Sequence, residues 1–163
     1  MKNFLRQFSI FKKIFGLIHT YKFLKIINKN NLQDYNFEQN KVITYFVLDK
    51  DKYSLISSKY DFRSYLIPQG SQNHKISFLK KMLLEGYFID IGASYGEFSK
   101  VLEPLQKEIF CIEPNKYVFE CLKDTFKNNK KVKLLNNAVS DKSVKLSFPS
   151  KIANSGNSTL INE

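Results

Sequence analysis

The chain contains no tryptophan and only two cysteines, Cys111 and Cys121, in 163 residues. Two cysteines are too few for a disulfide framework or a metal site. Both fall in segments that read as packed elements, so buried, reduced thiols in a cytosolic chain are expected. Nowhere does an uncharged apolar run approach 18 residues, and no membrane span is expected. A secretion signal is also missing, because Lys12-Lys13 splits the N-terminal apolar stretch and no small-residue cleavage site follows. Two phosphate-binding signatures are absent as well. There is no Gly-Lys-Ser/Thr loop, and a G-x-G-x-x-G beginning at Gly92 would need glycines where Ser94 and Glu97 stand. An NAD-dependent enzyme is therefore disfavoured.

What is present is the composition of a folded domain, with 43% hydrophobic and 25% charged residues, 15 Phe and 9 Tyr. A single domain of this length buries roughly two thirds of its unfolded surface. The net charge of +11 is lopsided. Residues 1–33 hold seven Lys/Arg and no acid, which leaves only +4 on the other 130. A basic end on a nearly balanced body reads as an appendage for an anionic surface. Nucleic acid is not the expected partner, since no base-reading motif accompanies the charge.

Along residues 3–27, Phe4, Phe8, Phe11, Phe15 and Ile18 recur at spacings of four and three, which stacks them on one helical face. Lysines fill the rest. Aromatics opposite lysines suit a helix lying in the membrane interface, and plain packing against the body is the competing reading. The polar, Asn-rich stretch 28–40 reads as a linker or turn. Val42–Leu48 and Tyr53–Ser57 form a predicted hairpin around a turn at 49–52. Residues 58–73, with Pro68 and Gly70, read as loop, with His74 in the same loop. Lys75–Leu84 has helical spacing, with a stop at Gly86.

From Tyr87 onward, strands alternate with helices: strand 87–91, helix 96–107, strand 108–112, helix 115–128, strand 132–136 and a hairpin arm at 144–148. Such alternation means βαβ units and a parallel sheet. The first strand reads as buried. The segment that organises the rest is Tyr87-Phe88-Ile89-Asp90-Ile91-Gly92-Ala93-Ser94-Tyr95-Gly96, a strand that ends in an acid and turns through two glycines into a helix. Gly92 permits a tight turn, Ala93 is small, and Gly96 lets the helix start against the strand. The free N–H groups of a helix start can hold a carboxylate. Asp90 can orient that amide network or a ligand ammonium. Glu113 ends the second strand, where a carboxylate can accept both hydroxyls of a ribose. At the third strand end, Asn136, Asn137 and Ala138 can read an adenine edge. Each feature has a bland alternative: a structural turn, a solvated acid, a turn pair. Their common position on one sheet edge is what unites them. Tyr95 and Phe98 read as core. His19 and His74 read as ordinary histidines, and no general base is assigned.

These residues resemble a known family. Phe88–Gly96 is similar to the first motif of class I S-adenosylmethionine-dependent methyltransferases. Ile112-Glu113-Pro114-Asn115, Asn136–Asp141 and Ser155–Leu160 resemble the FkbM type, with Ser94 where that family usually has Asn. The resemblance covers about residues 75–160. It implies that Asp90, Gly92, Ala93, Ser94, Gly96, Glu113, Asn137 and Ala138 hold S-adenosyl-L-methionine. It also implies methyl transfer to an oxygen of a small-molecule or saccharide acceptor, commonly a cell-surface sugar. No metal is implied. The expected fold is an α/β Rossmann-like sheet reduced to its first three parallel strands, preceded by a hairpin and a basic amphipathic helix. The expected layout is residues 1–30 helical, 41–73 hairpin and lead-in, and 74–163 the N-terminal half of a cofactor-binding domain. The fourth strand would be absent, leaving the first strand with an unpaired edge, so the chain is expected to be truncated, or half of a homo-oligomer or split assembly. The expected location is cytoplasmic, at the inner membrane face where residues 3–27 bind. The alternative is a catalytically inert membrane- or partner-binding fragment.

Overall fold

A computed structural model describes residues 32–36, for their backbone, and 40–142. The expected basic helix over 3–27, the hairpin arm at 144–148 and the 155–160 tail lie outside the described residues. Two three-stranded sheets, one antiparallel and one parallel, sandwich helices between them.

The antiparallel sheet comprises β1 (Leu32–Asn36), β2 (Lys41–Leu48) and β3 (Asp51–Ser58) in that order. Alternation builds β2: Val42, Thr44, Phe46 and Leu48 are buried, and the residues between them are not. The turn is shorter than the sequence indicated. Asp49 and Lys50 both take positive φ, 50° and 75°, which makes a two-residue hairpin loop of the primed kind and starts β3 at Asp51. The stretch read as an Asn-rich linker contributes β1, which pairs with β2 around an irregularity between Asp34 and Asn36. Backbone pairing with the β-rich segment beside it overrides the low strand propensity of asparagine.

The segment read as loop also holds structure. The α1 helix (Phe62–Leu66) is followed by a 3₁₀ turn, Ile67–Gln69, that ends at Gly70 with φ 67°. Asp61 starts α1 by accepting the backbone N–H of Arg63 at 3.0 Å. The other oxygen of Asp61 accepts the hydroxyl of Tyr95 at 2.6 Å, and both residues are fully buried. Helix α2 (Asn73–Met82) includes His74, which is exposed on the helix and not in a loop.

The parallel sheet consists of β4 (Tyr87–Ile91), β5 (Glu108–Ile112) and β6 (Val132–Leu135), in the order β4-β5-β6. Its crossovers are α3 (Glu97–Leu102) and α4 (Lys116–Thr125). Helix α3 is shorter than predicted because Pro104 turns the chain into a 3₁₀ segment, Glu103–Leu105. Helix α4 is the central pillar. Val118 and Cys121 join one core with Phe46, Leu55 and Tyr95, while Leu122 and Phe126 join a second with Ile109 and Val132. The N–H of Ile56 in β3 donates to Thr125 Oγ1 at 2.9 Å, so α4 caps that sheet edge. Lys41 reinforces the junction with an ion pair to Asp124 at 2.5 Å.

Among the described residues β4 is an edge strand, as the absence of a fourth strand implied, but it is not the buried strand its apolar sequence suggested: Tyr87, Ile89 and Ile91 are 73%, 59% and 63% exposed. Helices cover one face of the parallel sheet, and the alternate residues of β4 point from the other. Both cysteines are buried and unbridged, as expected. Burial pushes each thiol up to about 12. No helix among the described residues is long and apolar enough to cross a membrane.

Candidate functional site

The loop from β4 to α3 is stitched to the end of β5. Gly92 N–H and Ala93 N–H both donate to the carbonyl of Ile112, at 2.8 and 3.1 Å. Ser94 N–H donates to Glu113 Oε2 at 2.9 Å, and Gly96 N–H to Ala93 O at 2.8 Å. Three alternate residues with positive φ shape it: Gly92 at 75°, Ser94 at 53° and Gly96 at 89°. Ser94 is the strained member, and an Asn tolerates that left-handed region better. The two glycines differ. A Cβ at Gly92 would meet nothing within 4 Å, whereas one at Gly96 would stand 2.6 Å from Phe126 Cε2 and 2.9 Å from Leu122 Cδ1. Gly96 is needed for packing against α4, and Gly92 faces open space.

Free loop amides were expected to meet a ligand, but those of residues 92, 93, 94 and 96 are engaged within the protein. This loop is therefore poorly equipped to cradle a phosphate. Glu113, expected to face a ribose, is only 7% exposed and already accepts Ser94 N–H through Oε2 and Asn115 N–H through Oε1, the latter at 2.8 Å. An ionised carboxylate has about four acceptor positions, so two remain. Asn115 also starts α4, its Oδ1 accepting from Tyr117 N–H at 3.1 Å, while its Nδ2 is buried without a partner.

Asp90 sits at the end of β4 and accepts the hydroxyl of Ser99 at 2.6 Å; the Cys111 thiol donates in turn to Ser99 at 3.1 Å. At the third strand end the contacting residue is Asn136. Its amide donates to the carbonyls of Glu113 at 2.7 Å and Pro114 at 3.2 Å. Asn137 and Ala138 follow it, exposed. Thus Asp90, Gly92, Ala93, Ser94, Gly96 and Glu113 are brought together, and Asn137 and Ala138 stand outside that network.

Two members were not singled out in the sequence. Glu97, the first residue of α3, is 3% exposed and pairs with Arg63 Nη2. Glu97 carried a signal, an acid directly after the turn glycine. Arg63 carried none, being 34 residues away in a segment read as loop. Burial raises the carboxyls of Asp90, Glu97 and Glu113 above their ordinary range. Ser99 hydrogen bonds oppose this at Asp90, Arg63 opposes it at Glu97, and the Asn115 and Ser94 amides oppose it at Glu113. The charge of Asp90 raises both Glu97 and Glu113, and that of Arg63 lowers both. The strand ends therefore hold three interacting carboxyls and one guanidinium, which pairs with Glu97 and acts on Glu113, formally −2 when ionised. Such a set favours a ligand bearing positive charge. Among the described residues no cluster of His, Cys, Asp and Glu could hold a metal.

No family model matches the sequence, and neither does any curated protein. Solved structures that this chain resembles in part include a proposed RNA methyltransferase from Pyrococcus horikoshii, with 23% identity and a TM-score of 0.40 over 48% of this chain. Trm5b from Pyrococcus abyssi gives 20% identity and a TM-score of 0.43 over 60% of the chain. The aligned parts span 40% and 28% of those two proteins.

Proposed function

We propose that residues 74–142 carry the S-adenosyl-L-methionine site of a methyltransferase related to the FkbM type. The observation that supports this most is the convergence of Asp90, Glu97 and Glu113 on a glycine turn whose amides are already spent. A nucleotide polyphosphate needs free N–H groups and cations there; a sulfonium with an ammonium needs acids. Gly92 leaves open space at the turn, and the buried, unpartnered Nδ2 of Asn115 is a donor in reserve. Asp90, Gly92, Ala93, Ser94, Gly96 and Glu113 would hold the ligand, with Asn137 and Ala138 at its outer side.

The bound group would supply an electrophilic methyl for in-line displacement by an acceptor oxygen. The protein's part is then positioning. Glu113 ties the turn to the start of α4 by accepting Ser94 N–H and Asn115 N–H, and Ser99 fixes Asp90. The resemblance at Glu113–Asn115 and Asn136–Asp141 supports a hydroxyl acceptor on a saccharide or related small molecule. The sequence of residues 3–27, whose phenylalanine spacing would stack them on one face of a helix with lysines around it, supports attachment to an anionic membrane surface. Sedimentation with anionic vesicles should carry down the full chain but not one lacking residues 1–30; equal sedimentation would contradict that attachment.

The charge argument is tested by thermal shift with S-adenosylhomocysteine, NAD and ATP at equal concentration. S-adenosylhomocysteine alone should raise the melting temperature. A larger shift with NAD or ATP would overturn the reading.

A further inference from the structure

Arg63 reaches the strand ends from α1, outside the parallel-sheet unit altogether. A guanidinium carries five N–H donors in a planar fork made for a carboxylate. Here Nη2 meets Glu97, while Nε is buried with no partner. Beyond that contact, the Arg63 charge acts weakly on Glu113. As a purely structural clamp between α1 and α3 this pair is poorly resolved: one buried donor is left unpaired, which costs stability and is normally avoided. The unfilled donor and the neighbouring acids point to one kind of ligand. An amino-acid zwitterion brings a carboxylate for the guanidinium and an ammonium for Glu97, so both members of the Arg63–Glu97 pair keep an opposite charge in the swap.

We propose that Arg63 binds the carboxylate of the ligand's amino-acid moiety, exchanging its contact with Glu97 for the ligand while Glu97 and Asp90 face the ammonium. This rests on the S-adenosyl reading above and adds to it a subsite that the glycine-turn segment does not contain. A substitution in the lead-in segment would then change selectivity at a site built from the following domain.

Calorimetric titration of the full chain with three probes separates the two claims. The probes are S-adenosylhomocysteine, its decarboxylated analogue, which keeps the amine, and methylthioadenosine, which has neither group. The wild type should bind S-adenosylhomocysteine about tenfold or more tightly than the decarboxylated analogue, as a charge-assisted fork contact implies. Arg63→Gln should abolish that preference while leaving methylthioadenosine affinity unchanged, which also shows that the variant is folded. If Arg63→Gln does not fold, Arg63→Lys retains the charge without the fork. The preference should then shrink, and an undiminished one overturns the proposal. Equal wild-type affinity for S-adenosylhomocysteine and its decarboxylated analogue overturns the role of Arg63 and leaves the donor site standing. Failure of all three probes to bind overturns both.

Discussion

Gly92 and Gly96 both require positive φ, yet a methyl group has a different meaning at each. Gly96→Ala adds left-handed strain to a collision with Phe126 and Leu122, and should cost about 2–4 kcal/mol. Gly92→Ala adds the strain alone, about 1–2 kcal/mol. Chemical denaturation of the two variants should show that order, and equal losses would contradict the packing described around Gly96. The three site acids give a pH signature. Their ordinary values, 3.8 for Asp90 and 4.5 for Glu97 and Glu113, apply to the unfolded chain, and folding raises all three. The folded state therefore binds protons more tightly, so the stability from these groups is complete below their ordinary values. It is lost as pH rises through the folded-state values. Asp90→Asn removes one such group. In melts from pH 4 to pH 8 the variant should gain on the wild type as pH rises. A variant that falls behind with rising pH would contradict the assigned direction.

Among the elements, α4 determines how the two sheets are held. It fills both cores and offers Thr125 Oγ1 to the N–H of Ile56 on the edge of β3. Thr125→Val keeps the shape but strands that donor, and should cost about 1–3 kcal/mol in urea unfolding; no loss would mean the edge is satisfied some other way. The parallel strands were legible because apolar runs five residues long stood between helical periods, and β4 and β5 have the bounds their sequences implied. The short α1 helix and β1 were not. Five residues are too few to show a helical period, and β1 owes its form to pairing with β2. The burial of β4 was also misjudged. Its sequence, Tyr-Phe-Ile-Asp-Ile, reports a strand with two apolar faces, but exposure depends on neighbours that a local run does not encode.

At the scale of the whole molecule, part of the site was readable and part was not. The glycine spacing located the turn, and Glu113 emerged from its position at the next strand end. The engagement of the loop amides was hidden, because it depends on which carbonyl of β5 lies opposite Gly92. Arg63 was hidden more deeply, since only tertiary packing brings α1 beside α3. Asn136 took the contact with the Glu113–Pro114 segment, ahead of Asn137, through a choice of one residue at a strand end. The charge distribution gives the account its overall logic. A chain of net +11 collects three acids at one strand-end cluster, an arrangement suited to a small cationic ligand. The most direct measurement is a calorimetric titration of the wild type and Gly92→Asp with S-adenosyl-L-methionine, each first checked by thermal melting. Saturable binding by the wild type, lost in a Gly92→Asp protein that still melts cooperatively, is the predicted result. No binding by the wild type, or the same binding by both, would contradict a donor site at this turn.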